Sequence, residues 1–252
     1  MDINKITSVK NEYIKDIVKL KSDYSEKYIL EGVHVIEEAL KYNVIESILF
    51  TNKNTLNLSE YGPSINKYEI SSEVAEKISS VKTHQGVFAI CKIEEKDIDL
   101  SKNILLLDDV QDPGNMGTLI RSAKAFGFNS IVAGERSVGF YNPKVVRSTQ
   151  ANHFTMSLVK KNLEQMIKFL KSNGYLIVGT FLHQDVKNEI NTNTKLKDKK
   201  IALILGNEGN GIEIEYKKYI DLNYVIKMDK DVESLNVAVA GSIIMSDIYK
   251  TI

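Results

Sequence analysis

A chain of 252 residues, 43% of them hydrophobic, can bury the core of one large or two modest domains. No apolar run approaches the roughly eighteen residues of a membrane span, and the opening MDINKITSVKNEY lacks the apolar stretch of a secretory signal, so a cytoplasmic protein with no membrane partner is expected. Lys+Arg and Asp+Glu both total 33, so only a local patch could argue for nucleic acid, while one cysteine excludes an internal disulfide framework and four scattered histidines offer no metal-ligand spacing.

From Lys10 onward, Tyr13, Ile14, Ile17, Val18 and Leu20 recur at helical spacing, with lysines mostly off the stripe: an amphipathic helix with a basic face. Tyr28–Leu30 reads as a short strand, and Val33, Ile36, Ala39 and Leu40 as a second helix after Gly32. Ile45–Thr51 and Lys67–Ile70 are strands, Ser71 or Ser72 can cap a helix carrying Val74, Ala75 and Ile78, and Gly86 leads into the strand Val87–Ile93 with Cys91 as a buried member. These make a compact alternating α/β unit.

The charged stretch EEKDIDLS (94–101) reads as a linker, and a second unit begins at Asn103. Strand signals recur at Ile104–Leu107, Ser130–Ala133, Phe154–Val159, Tyr175–Phe181, Ile201–Leu205 and Leu222–Met228. Helical patterns fall between most of them, at Met116–Phe126, Pro143–Thr149, Leu163–Ser172 closed by Gly174, and Ile212–Tyr219. Six strands alternating with helices predict an α/β fold with a mostly parallel sheet covered on both faces, whose ligands bind beyond the strands' carboxyl ends. Asp108, Asp109, Gly134, Thr180, Gly206, Asn207 and Glu208 fall at those ends.

Three segments carry the chemistry. The first strand runs into Asp-Pro-Gly, a turn signal, after which Asn115 can cap a helix whose buried stripe is Met116, Leu119, Ile120, Ala123 and Phe126. Arg121 lies off that stripe, either as a solvated helix arginine or as a fixed cation suited to a phosphate. The second is the glycine loop Gly206-Asn-Glu-Gly209-Asn-Gly211, where glycine permits positive φ and close approach of main chain to a flat ligand. The third is Glu233-Ser-Leu-Asn236, opening a long small-residue helix. No G-x-G-x-x-G follows the first strand and no P-loop occurs, which disfavours dinucleotide and P-loop readings.

The blocks DPGNMGTLIRSAKAFG (112–127), LILGNEGNGI (203–212) and ESLNVAVAGSIIM (233–245), in this order, closely resemble the SpoU (TrmH) family of RNA ribose 2'-O-methyltransferases, of the SPOUT superfamily. ITSVKNEYIKDIVKLK, LEGVHVIEEAL and THQGVFAI look like that family's amino-terminal RNA substrate-binding domain of ribosomal-protein type. The resemblance implies such a domain over residues 1–94, a linker over 95–102 and a knotted methyltransferase domain over 103–252, with a deep trefoil knot that periodicity could never reveal.

It further implies S-adenosyl-L-methionine as cofactor, held by Gly206, Ile226 and Leu235 with Thr180, Leu205, Asn207, Gly209 and Met228 around it. Arg121 would act on the ribose hydroxyl. A guanidinium is a poor base, so a role holding phosphate and developing alkoxide is expected, with Asn115, Glu208, Ser234 and Asn236 fixing it, the loop and the substrate. Lys144 and Arg147 match a basic pair suited to RNA phosphate, whereas Gln150–His153 departs from the family's small residues and glycine, and His153 is given no catalytic role. The expected protein is a homodimeric, metal-free enzyme acting on RNA, most simply large-subunit (23S) ribosomal RNA. Its alternatives are a transfer-RNA 2'-O-methyltransferase, a non-catalytic RNA-binding or ribosome-assembly factor, and an unrelated nucleotide-binding α/β enzyme.

Overall fold

The computed structural model describes residues 3–181, 189–190, 196, 198–207, 209–229 and 231–250. They form two compact units, one of Met1–Glu94 with Tyr141–Phe154 and one of Glu95–Phe140 with Thr155–Ile252.

In the first unit the strands β1 (Asn4–Ile6), β2 (Lys27–Glu31), β3 (Ile45–Phe50), β4 (Asn66–Ile70) and β5 (Val87–Lys92) build a mixed sheet in the order β1-β4-β3-β5-β2. Strand β1, for which the sequence gives no signal, pairs parallel with β4; β5 pairs antiparallel with β3 and β2. Alternation sorts the side chains onto two faces. Tyr28, Leu30, Ile48, Phe50, Ala89 and Cys91 meet helix α2 (Val33–Ala39), whereas Ile29, Leu49, Phe88 and Ile90 meet α1 (Glu12–Lys19) and α3 (Ser72–Ile78). Asn11 caps α1 and Ser71 caps α3, each side chain accepting a main-chain N–H from the first turn. Burial pushes the Cys91 thiol up, leaving it a packing residue.

The second unit carries β6 (Asn103–Leu107), β7 (Phe128–Ala133), β8 (Ser157–Lys160), β9 (Leu176–Gly179), β10 (Glu189–Ile190), β11 (Ile201–Leu205) and β12 (Leu222–Tyr224). Their order is β10-β12-β9-β11-β6-β7-β8, and every pairing is parallel. The six expected strands are present. A two-residue seventh joins the edge, and the sheet is wholly rather than mostly parallel. Strands β6 and β11 are buried at every position, the signature of a sheet covered on both faces. Ile104, Leu106, Ala202, Ile204 and Ile177 pack on α6 (Leu163–Ser172).

Four local expectations are corrected. Asp112, not Asn115, caps α4 (Pro113–Ala125): its carboxylate accepts Asn115 N–H at 2.8 Å, and Pro113 takes the first helical position, where no donor is needed. The expected helix over Ile212–Tyr219 is a 3-10 helix confined to Ile214–Tyr219. The strand expected to reach Met228 ends at Tyr224, and the one expected from Phe154 begins at Ser157, because Asn152–Thr155 turn as a 3-10 helix.

Helix α5 (Pro143–Thr149) buries Val145, Val146 and Thr149 within the first unit. After it, Gln150 and Ala151 both adopt left-handed φ, at 50° and 68°, a conformation that costs a non-glycine residue about 1 kcal/mol. His153 then enters the core at 3% exposure, with Thr149 Oγ1 at 2.8 Å from Nδ1 and Tyr28 Oη at 3.2 Å from Nε2. The atypical segment is thus anchored by a buried histidine.

Candidate active site

The carboxyl ends of β11 and β6 meet where Asp108 N–H donates to Leu205 O at 2.8 Å. Immediately beyond, Gly206–Ile212 folds back on itself: Asn207 and Gly211 exchange two main-chain hydrogen bonds of 3.0 and 2.9 Å. The Asn207 side chain fills the turn, its Oδ1 accepting Gly209 N–H at 2.7 Å and Asn210 N–H at 3.3 Å, and its Nδ2 donating to Asp109 O at 3.0 Å. A Cβ on Gly206 would sit 2.0 Å from Gly211 C and 2.2 Å from Ile212 N, so only glycine fits. Gly211 meets the other need, with φ +68°.

Helix α7 (Val237–Tyr249) closes the opposite wall and divides its surface three ways. Ala238, Gly241, Met245 and Ile248 are buried, Val237, Ala240 and Ile244 face the pocket, and Val239 and Ile243 are exposed. Gly241 lets α7 lie on Leu205 and Leu119, whose methyl carbons stand 2.5 and 2.7 Å from the position of an added Cβ.

Between the loop and α7 lies a pocket of about 540 Å³. Thr180, Leu205, Gly206, Asn207 and Gly209 line it from the sheet side, and Ile226, Met228, Ser234 and Leu235 from the segment leading into α7. All eight residues expected to touch cofactor therefore share one cavity, with Ser234 beside them. Sequence reasoning missed Tyr224, Ile212, Ala240 and Ile244, which also line it. Their spacing reads as core, and Ile212, Tyr224 and Ile244 are in fact buried; only the fold shows that they also line the pocket. Tyr224 is tied to the helix by its hydroxyl, which donates to Asp247 Oδ2 at 2.8 Å, and burial raises its pKa.

Asn236 caps α7, its Oδ1 accepting Ala238 N–H at 3.0 Å and Val239 N–H at 3.3 Å, while its Nδ2 donates to Asn115 Oδ1 at 3.0 Å. Ser122 and Ser242 hydroxyls, 2.7 Å apart, make a second link between α4 and α7. Arg121 lies exposed on α4 with no hydrogen bond or ion pair to another described residue. Glu208 lies outside the described residues. Lys144 and Arg147 belong to the first unit, exposed on α5, where Arg147 Nη1 donates to Ser80 Oγ at 2.8 Å. Among the described residues no cluster of three His, Cys, Asp or Glu could hold a metal, and no helix is long and apolar enough to cross a membrane.

A parallel sheet with its pocket beyond the carboxyl ends, walled by a late glycine loop and the chain's last helix, defines a class: residues 102–246 match the SpoU rRNA Methylase family, and the chain belongs to it. Residues 11–89 match the MRM3-like substrate binding domain. Among curated relatives, the chain is 34% identical over 248 residues to the 23S rRNA (guanosine(2553)-2'-O)-methyltransferase RlmP of Bacillus subtilis, covering 96% of this chain and 98% of that protein. It is also 34% identical over 186 residues to the 23S rRNA (guanosine-2'-O-)-methyltransferase RlmB of Coxiella burnetii, covering 68% and 72% of the two chains. The crystal structure of an AdoMet-bound rRNA methyltransferase from Sinorhizobium meliloti shares the fold, with a TM-score of 0.85 at 24% identity over 98% of each chain.

Proposed function

We propose that this protein transfers a methyl group from S-adenosyl-L-methionine to a ribose 2'-hydroxyl of RNA, with large-subunit ribosomal RNA as substrate. The observation that carries the reading is the single pocket into which Thr180, the Leu205–Gly209 loop, Ile226–Met228 and Ser234–Leu235 converge from separate stretches of chain. Its volume, about 540 Å³, falls within the usual range for sites that enclose a small molecule. Main-chain groups of the glycine loop can pair with an adenine edge, and Ile226, Met228 and Leu235 can enclose its faces. The RNA half of the reading draws on the substrate-binding domain match and on the activity named for the Bacillus subtilis and Coxiella burnetii relatives.

When bound, S-adenosylmethionine supplies an electrophilic methyl carbon on a sulfonium. The chain's task is to bring a ribose oxygen in line with it. Arg121, a cation with no partner among the described residues, is available to hold the RNA phosphate and to stabilise charge on the oxygen as its proton leaves. The Asn115–Asn236 bridge keeps α4, which carries Arg121, in register with the turn that carries Ser234 and Leu235. Glu208 is assigned to the loop side of the same site. Lys144 and Arg147, one helical turn apart, are assigned to RNA phosphates.

The chain divides in sequence into an RNA-binding domain over 1–94, a linker over 95–102 and a methyltransferase domain over 103–252, supported by the family matches, although Tyr141–Phe154 of the last stretch packs within the first compact unit. In the methyltransferase domain the final segment threads a preceding loop to form a trefoil knot, as in the family the sequence resembles. The enzyme works in the cytoplasm. It is a homodimer, with Val239 and Ile243, 48% and 38% exposed on one face of α7, as apolar contacts. Sedimentation equilibrium tests this assembly; a monomer at all concentrations refutes it.

The function is tested by incubating the protein with methyl-labelled S-adenosylmethionine and unmodified large-subunit ribosomal RNA or transfer RNA. Label in the ribosomal RNA is expected. Label in transfer RNA alone overturns the substrate, and label in neither, with cofactor binding intact, overturns the enzyme.

A further inference from the structure

The glycine loop is held from behind at both of its feet. At the leading foot Asn207 Nδ2 donates to Asp109 O at 3.0 Å; at the trailing foot Glu213 N–H donates to Asp108 Oδ2 at 2.8 Å. Asp108 and Asp109 follow β6 directly, and Asp109 takes a left-handed φ of 59° to present its carbonyl. Three carboxylates thus gather behind the loop: Asp108, whose side chain is 5% exposed, Asp109 at 15% and Glu213 at 36%. Among the described residues one cation faces them. Arg136, in the turn after β7, donates from Nη2 to Glu213 Oε1 and lies 4.0 Å from Asp108 Oδ1 and 3.8 Å from Asp109 Oδ2.

An isolated surface ion pair would contribute little. This one differs because removing the cation leaves three like charges confined by hydrogen bonds that fix their backbones. Their repulsion acts on the spacing between the Asp108–Asp109 turn and Glu213, and so on the loop between Asn207 and Glu213.

We propose that Arg136 is a positioning residue for the glycine loop: by drawing Glu213 and the Asp108–Asp109 turn onto one guanidinium, it sets the loop's shape for binding S-adenosylmethionine. The proposal rests on the pocket being the cofactor site. Arg136 touches nothing that reacts, and its effect falls on cofactor binding rather than on turnover.

The test measures S-adenosylmethionine binding by equilibrium dialysis, and KM and kcat for methyl transfer, in the full chain and its variants. Arg136→Ala raises the cofactor Kd and KM about tenfold, while kcat at saturating cofactor stays within about twofold. Arg136→Lys recovers part of the loss. The double variant Arg136→Ala with Glu213→Gln recovers most of it, because one of the repelling charges has gone; a role limited to packing predicts no such recovery. Arg136→Gln replaces Arg136→Ala if the latter fails to fold, with the same expectations. Wild-type protein that binds no S-adenosylmethionine overturns the pocket assignment and this inference with it. Wild-type binding with unchanged binding in Arg136→Ala, or a double variant no better than the single, overturns the inference alone.

Discussion

The side-chain amide of Asn236 donates to the side-chain oxygen of Asn115 at 3.0 Å, joining the start of the last helix to the first turn of α4 across 121 residues of chain. The same asparagine caps α7 through its oxygen. Its two functions separate by substitution. Asn236→Ala loses both and costs about 1 kcal/mol from the cap alone. Asn236→Asp keeps an acceptor for the cap but loses the donor and sets a carboxylate against the Asn115 oxygen. Thermal unfolding near wild type for Asn236→Asp, with methyl transfer at least tenfold down, is the expected pair of results; full activity in Asn236→Asp would remove the bridge from the site.

Two glycines, Gly206 in the loop and Gly241 in α7, answer differently to an added methyl group. At Gly206 the clash is with main chain, at 2.0 and 2.2 Å, which cannot yield without opening the loop. Gly206→Ala therefore abolishes S-adenosylmethionine binding by calorimetry while the far-ultraviolet spectrum stays native. At Gly241 the clash is with methyl groups of Leu205 and Leu119, which can rotate away, so Gly241→Ala costs about 1–3 kcal/mol of stability and retains cofactor binding. The reverse order of effects would contradict the loop geometry.

Arg121 is exposed, so Arg121→Ala changes stability by no more than about 0.5 kcal/mol. Cofactor affinity also holds, since Arg121 is not among the pocket's lining residues. Methyl transfer falls by about a hundredfold or more, the usual scale for losing a group that stabilises developing charge. Steady-state kinetics on RNA reads this directly, and unchanged turnover removes Arg121 from the mechanism.

Burial holds the Asp108 carboxyl above its usual range, outweighing the Glu213 N–H and Arg136, which favour the charged form, while Glu213 and Asp109 add to the rise. Because the folded value exceeds the unfolded one, this group's contribution to stability is fully present below the unfolded value of 3.8 and is lost as pH rises through the folded value. Asp108→Asn removes the titration. The variant's unfolding temperature gains on wild type between acid and neutral pH, and parallel profiles would contradict the assigned cause.

Much of this fold is legible in the residues because its strands are unbroken apolar runs. Ile201–Leu205 and the ends of Leu163–Ser172 are found where periodicity and flanking glycine predict them. What escapes is set by tertiary contact. Asn4–Ile6 is a strand only because β4 pairs with it, and Pro113 moves the cap of α4 from Asn115 back to Asp112. At the site, the residues named from the sequence are those in glycine- and asparagine-bearing turns, whose chemistry is visible without a fold. Ala240 and Ile244 look like core residues, and a lone arginine such as Arg136 carries no local signal at all. Its meaning comes from Asp108, Asp109 and Glu213, which lie near it only in three dimensions.

Transfer of the methyl group to a ribose oxygen, rather than to a base, has a direct chemical signature. After reaction with labelled S-adenosylmethionine, the RNA is digested with alkali, which cleaves every linkage whose 2'-hydroxyl is free and spares one that is methylated. Label is expected in alkali-resistant dinucleotides, lost in Gly206→Ala and in Arg121→Ala. Label recovered in mononucleotides, as a methylated base would give, contradicts it.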